Sequence, residues 1–224
     1  HTKKIIFHPK MLPVEVIADP ELTFGLPAHI TAATGMDALS HSLEAYCSPF
    51  FHPLAQGIAL EGMRLCKDWL PTAVKTGSNI EARAYMMAAS SMGATAFQKG
   101  LGSMHAMSHP CSSLRGTHHG LTNAVVMPYV LLHNKSVIEE RLAAAARYMN
   151  LKNQSFIGFV DWVLALREEV GIPNTLKEIG VDLDMIPEGA PMALEDPSNG
   201  GNPLPMSVGD YEMLYRNAIE GRLV

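Results

Sequence analysis

A mainly α protein, a helical bundle-like domain preceded by a short β stub, is what this sequence predicts. Three observations carry that reading. Apolar residues recur at three- and four-residue spacing from Pro27 almost to the end; strand-like runs are confined to the region before Asp19; and 47% of the 224 residues are hydrophobic, enough to bury a substantial core.

The stub consists of two runs rich in β-branched residues, Ile5 to Phe7 and Val14 to Ile17, separated by Pro9 and Pro13. Residues 1–22 are therefore read as a strand-rich remnant or linker, and residues 23–224 as the helical domain. In that domain Pro27 suits a first helical turn, and Ile30, Ala33, Asp37, His41 and Glu44 share one helical face. Ala55, Ile58, Ala59, Gly62, Leu65, Cys66 and Trp69 make a second face that should stop before Pro71. Further helices are predicted over residues 80 to 97, 119 to 133 and 136 to 148. The stripe Phe156, Phe159, Val160, Val163, Leu166 and Val170 gives another, closed by Gly171 and Pro173. Residues 195 to 206 form a turn-rich loop, and a last helix starts with Ser207 as cap and Asp210 three residues on.

Charge and cysteine usage narrow the function classes. A net charge of −5 with scattered lysines and arginines gives no footprint for nucleic acid or an anionic membrane. The longest apolar run, Ala124 to Leu132, is broken by Pro128 and falls short of the about 20 residues a membrane span needs. Three cysteines without CxxC spacing argue for a reducing compartment, so a cytoplasmic location is expected. The sequons at Asn134 and Asn153 are then chance matches.

The chemistry concentrates in four of the ten histidines: His105, His109, His118 and His119 lie within GSMHAMSHPCSSLRGTHHGLTNAVVMP, residues 102 to 128. His105 and His109 have the i, i+4 spacing that puts two imidazoles on one helical face, and Asp37 and His41 in TGMDALSHSLEAY repeat it with a carboxylate. Two helices offering nitrogen and oxygen donors suit a divalent ion such as Fe²⁺ or Zn²⁺, whereas packing or chance explains either pair taken alone. Spacing does not separate a hydrolytic metal site from a redox one. Glu44 follows His41 by one turn and is placed either to orient it or to cap a helix end; Cys111 reads as a small buried residue.

At these residues the sequence resembles the iron-containing (group III) alcohol dehydrogenases, which share a dehydroquinate synthase-like fold. LPAHITAATGMDALSHSLEAY (26 to 46) and HAMSHP…HHGLTNAVVMP (105 to 128) are similar to the family's signature motifs, and the likeness extends through GGNPLP at 200 to 205 and the last helix. The resemblance implies that Asp37, His41, His105 and His119 ligate the metal. It places His109 near the nicotinamide and substrate as a proton relay and not as a ligand. That pairing of His105 with His119 differs from the spacing argument, which pairs His105 with His109. It requires the His105 helix to end near Pro110, and a turn permitted by Gly116 and Gly120 to bring His119 back.

The implied activity is NAD(P)-linked oxidation of a small alcohol, or reduction of an aldehyde or ketone, with Fe²⁺, Zn²⁺ or another divalent ion as Lewis acid. A metal-dependent hydrolase and a non-catalytic metal-binding module remain the alternatives. Full-length members also carry an N-terminal α/β domain with a glycine-rich turn for the pyrophosphate. No such turn after a strand occurs here, Gly100 to Gly102 being too short, and the chain opens on His1 and Thr2. The expectations are a piece of a longer enzyme, without dehydrogenase activity alone and prone to self-association.

Overall fold

Nine α-helices, joined by loops and short 3₁₀ turns, make up residues 8 to 223, the part of the chain that the computed structural model describes; no strand occurs among them. The second run of the expected β stub is corrected accordingly. Val14 to Ile17 form no strand and lie exposed, since an isolated extended segment without a neighbouring ladder leaves its backbone groups to water. Ile5 to Phe7 lie outside the described residues.

Helix α1 (Ala28–Cys47) is the axis of the fold, packed by α2 (Pro53–Lys75), α3 (Ile80–Ala96) and α5 (His119–His133). Enclosure on all sides explains why its apolar residues are not confined to one stripe: Met36, Leu39 and Leu43 are fully buried. Each such side chain stabilises the fold by about 1.5–3 kcal/mol through burial. Pro27 is the residue before the first turn, one step earlier than its sequence position suggested. At the other end of α1, the buried Lys99 ammonium donates to the Ala45, Tyr46 and Ser48 carbonyls, and Arg141 donates to those of Tyr46, Cys47 and Ser48. Two cations thus satisfy the orphan carbonyls and oppose the negative end of the helix dipole.

Two prolines expected to end helices do not. Helix α2 runs through Pro71 to Lys75, and α4 (Ser103–Arg115) runs through Pro110. In each case one backbone hydrogen bond is lost, but the buried face continues past the proline, through Ala73 in α2 and Cys111 in α4, so packing outweighs the break. Helix α4 ends instead at Gly116, whose φ of +68° reverses the chain in a conformation that glycine adopts without strain. Helix α5 then starts at His119 with the His118 imidazole accepting from Leu121 N–H.

Helices α6 (Lys135–Tyr148) and α7 (Phe156–Glu169) pack on each other, while α8 (Ile186–Glu195) and α9 (Val208–Glu220) pair and cover α4. Helix α8 has no counterpart in the sequence expectation. Helix α9 carries the anticipated cap: Ser207 and Asp210 exchange hydrogen bonds in a capping box. The segment after α8 is tied down by a reciprocal amide pair, Asn134 with Asn202, each Nδ2 donating to the other Oδ1 at 3.0 Å.

Two glycines set the spacing around Asp37 and His41. A Cβ on Gly120 of α5 would lie 2.5 Å from the Ala33 carbonyl oxygen and 2.9 Å from Asp37 Cβ; one on Gly93 of α3 would lie 2.9 Å from His41 Cβ. Only helices lacking a side chain there can approach α1 so closely.

Candidate metal centre

Three helices converge on one point. Asp37 and His41 lie one turn apart on α1, His105 on the first turns of α4, and His119 opens α5. Donor atoms of Asp37, His41 and His105 lie within 4.8 Å of one another. The Asp37 Oδ1 atom is 3.9 Å from His105 Nε2 and 3.7 Å from His119 Nε2. A tetrahedral ion with bonds of about 2.1 Å sets its ligands about 3.4 Å apart, so small rotations would bring this donor set to coordination distance.

Each imidazole is oriented by a second group. The Glu44 Oε2 atom is 2.7 Å from His105 Nδ1, which places the proton on Nδ1 and leaves Nε2 as an acceptor facing the centre. Ser108 Oγ donates to the His105 carbonyl and so accepts from His119 Nδ1 at 2.9 Å, with the same result for His119 Nε2. His41 stacks on His105 at 4.8 Å between ring centroids and leans on Phe97 at 5.3 Å. The Asn123 amide, one turn beyond His119, donates to Asp37 Oδ1 at 2.7 Å and lies 3.2 Å from both Nε2 atoms. The Asn123 amide thus meets those nitrogens as lone-pair donors, the form in which an imidazole binds a cation.

Electrostatics favour an ionised Asp37 and a neutral His41. Burial alone would raise the Asp37 carboxyl, but His41, His105, His119 and the Asn123 amide outweigh it and hold the group below the usual carboxylate range. His41 is pushed down by burial, against the opposing charge of Asp37 and with the help of His105, so it favours the neutral form.

His109, one turn after His105, is drawn elsewhere. Its Nδ1 lies 2.7 Å from Asp196 Oδ2, and its ring stacks on His119 at 5.1 Å. The imidazole also borders an open cavity of about 160 Å³ lined by Pro110, Ser113, Met192, Glu195 and Asp196. His118 serves as the α5 cap. Glu44 hydrogen-bonds to His105, and the helix end it caps is that of α4, where it accepts from Gly102 and Met104 N–H. Sequence reasoning missed Asp196, Asn123 and Ser108. Asn123 repeats the i, i+4 spacing after His119, a usable signal; Asp196 gave only a turn signal in EDPSNGG.

A helical domain in which a carboxylate and three imidazoles converge from three helices has the donor set of a candidate site for a divalent ion. The chain belongs to the Fe-containing alcohol dehydrogenase family, matching the model of its C-terminal part over residues 31–219. It is 40% identical to 4-hydroxybutyrate dehydrogenase of Cupriavidus necator, over 97% of this chain and 59% of that protein. It is 35% identical to NAD-dependent methanol dehydrogenase of Bacillus methanolicus, over 97% and 59%. The structure of an iron-containing alcohol dehydrogenase from Thermococcus thioreducens is similar with a TM-score of 0.89 at 31% identity, over 97% of this chain and 57% of that one. The chain therefore spans under two thirds of the length of these relatives. No helix among the described residues is long and apolar enough to cross a membrane.

Proposed function

We propose that this chain supplies the metal and substrate side of an NAD(P)-linked dehydrogenase that interconverts small alcohols with aldehydes or ketones. The observation that carries the reading is the convergence of Asp37, His41, His105 and His119 beside His109 in a chain of this family. Those four side chains would hold Fe²⁺, or Zn²⁺ or another divalent ion in its place. The ion, when bound, supplies Lewis-acid polarisation of the substrate oxygen, and the nicotinamide supplies the hydride acceptor or donor.

The remaining work falls to the chain itself. Glu44 and Ser108 keep the His105 and His119 Nε2 atoms pointed inward. His109, with Nδ1 committed to Asp196, has Nε2 left to take the hydroxyl proton of an alcohol or return it to a carbonyl oxygen. His109 and Asp196 together line a cavity beside the centre. A hydrolase would need a further carboxylate as base. Glu44 is engaged by two backbone N–H groups and His105, and Asp196 by His109 and Ser198. Three free buried thiols suit the reducing cytoplasm.

Anaerobic titration of the full chain with Fe²⁺ or Zn²⁺ should reach one ion per chain. Alcohol-dependent reduction of NAD(P)⁺ by the enzyme containing it should vanish on chelation and return with the ion. Chelator-sensitive ester hydrolysis without nicotinamide would sink the redox reading.

A further inference from the structure

We propose that Asp196 is a positioning residue that fixes the tautomer and ring plane of His109, making Nδ1 the protonated nitrogen and Nε2 the acceptor. The inference deepens the proton-relay reading given above and rests on it for its functional meaning, though not for its test. Three observations support it. The contact is short, 2.7 Å from Asp196 Oδ2 to Nδ1, and it is the hydrogen bond that ties this buried ring to a segment 87 residues away. The carboxylate is itself held, because its other oxygen, Oδ1, accepts from Ser198 N–H at 2.8 Å. The segment that carries it is pinned in turn: Asn199 donates to the Leu194 carbonyl, and Tyr211 donates to Asn199 Oδ1 at 2.8 Å. Those hydrogen bonds, with burial opposing them, leave the carboxyl below its usual range, in the acceptor-only ionised form.

The two oxygens of Asp196 have different partners, and this gives a sharp consequence. In Asp196→Asn the side-chain oxygen stays with the Ser198 N–H, which only an acceptor satisfies, so the new NH₂ group faces His109 Nδ1. A donor at that place forces the proton to Nε2. The near-isosteric change therefore inverts the tautomer instead of merely loosening the ring, an effect that a purely structural carboxylate does not produce.

The experiment is ¹⁵N-detected histidine NMR on the full chain loaded with Zn²⁺, a diamagnetic probe, with His109 assigned by comparison with His109→Gln, at a pH where the imidazole is neutral. The wild-type ring should be predominantly Nδ1–H, Asp196→Asn predominantly Nε2–H, and Asp196→Ala a mixture of both. A wild-type His109 that is mainly Nε2–H overturns the proposal, and that spectrum needs no variant to fold. So does an Asp196→Asn chain that keeps the wild-type tautomer. If the tautomer inverts as expected but His109→Gln leaves alcohol turnover in the holoenzyme unchanged, the relay reading fails while the positioning role of Asp196 stands.

Discussion

Glu44 Oε2 lies 2.7 Å from His105 Nδ1, and the same carboxylate accepts the backbone N–H groups of Gly102 and Met104 at the start of α4. One side chain of α1 thereby caps a second helix and orients an imidazole of that helix toward the centre. Glu44→Gln replaces an acceptor-only group by one with a donating end, so at least one of the three donors loses its partner in a buried place. We expect a loss of about 1–3 kcal/mol in urea unfolding. Affinity for Zn²⁺ should fall by about 10–100-fold. Unchanged values for both would show that the contact is incidental.

Removal of single histidines separates ligands from neighbours. His105→Ala and His119→Ala should each strip most of the metal from the purified chain, since each takes away an Nε2 within 4 Å of Asp37 Oδ1. His109→Ala should retain it, because that ring is bonded to Asp196. Elemental analysis after dialysis decides the matter; equal depletion in all three would overturn the ligand assignment.

Acid stability should carry the signature of Asp196. Burial by itself would raise this carboxyl, but hydrogen bonds from His109 and Ser198 hold it below its ordinary value of 3.8. A folded value below the unfolded one means a stabilisation fully present above that pH and lost as pH falls through the folded value. Asp196→Asn should therefore be less stable than wild type near neutrality, and its unfolding free energy should decline less steeply below 3.8. Parallel pH profiles for the two proteins would refute the linkage.

Backbone proximity at the centre is testable with paired glycine substitutions. Gly120→Ala would place a Cβ 2.5 Å from a backbone oxygen of α1, which cannot swing aside. We expect a cost of about 1–3 kcal/mol, with reduced metal occupancy as α1 and α5 are pushed apart. Gly57→Ala, in the exposed part of α2 with nothing within 4 Å of the new atom, should instead stabilise by about 0.5–1 kcal/mol. Thermal melts of both variants give the sign directly.

What the sequence determined by itself is the part governed by local periodicity and capping. The span of α5 from His119 to His133, the capping box at Ser207 and Asp210, and the one-turn spacing of Asp37 and His41 follow from contacts a few residues apart. Tertiary structure alone decided the rest. Pro71 and Pro110 stay inside helices because the buried faces of α2 and α4 continue beyond them, a balance that local propensity omits. Val14 to Ile17 keep the residue types of a strand without the partner that would make them one. Glu44 reaches His105 across 61 residues and Asp196 reaches His109 across 87, so which nitrogen of each ring faces inward depends on how distant helices pack and on no spacing within the motifs.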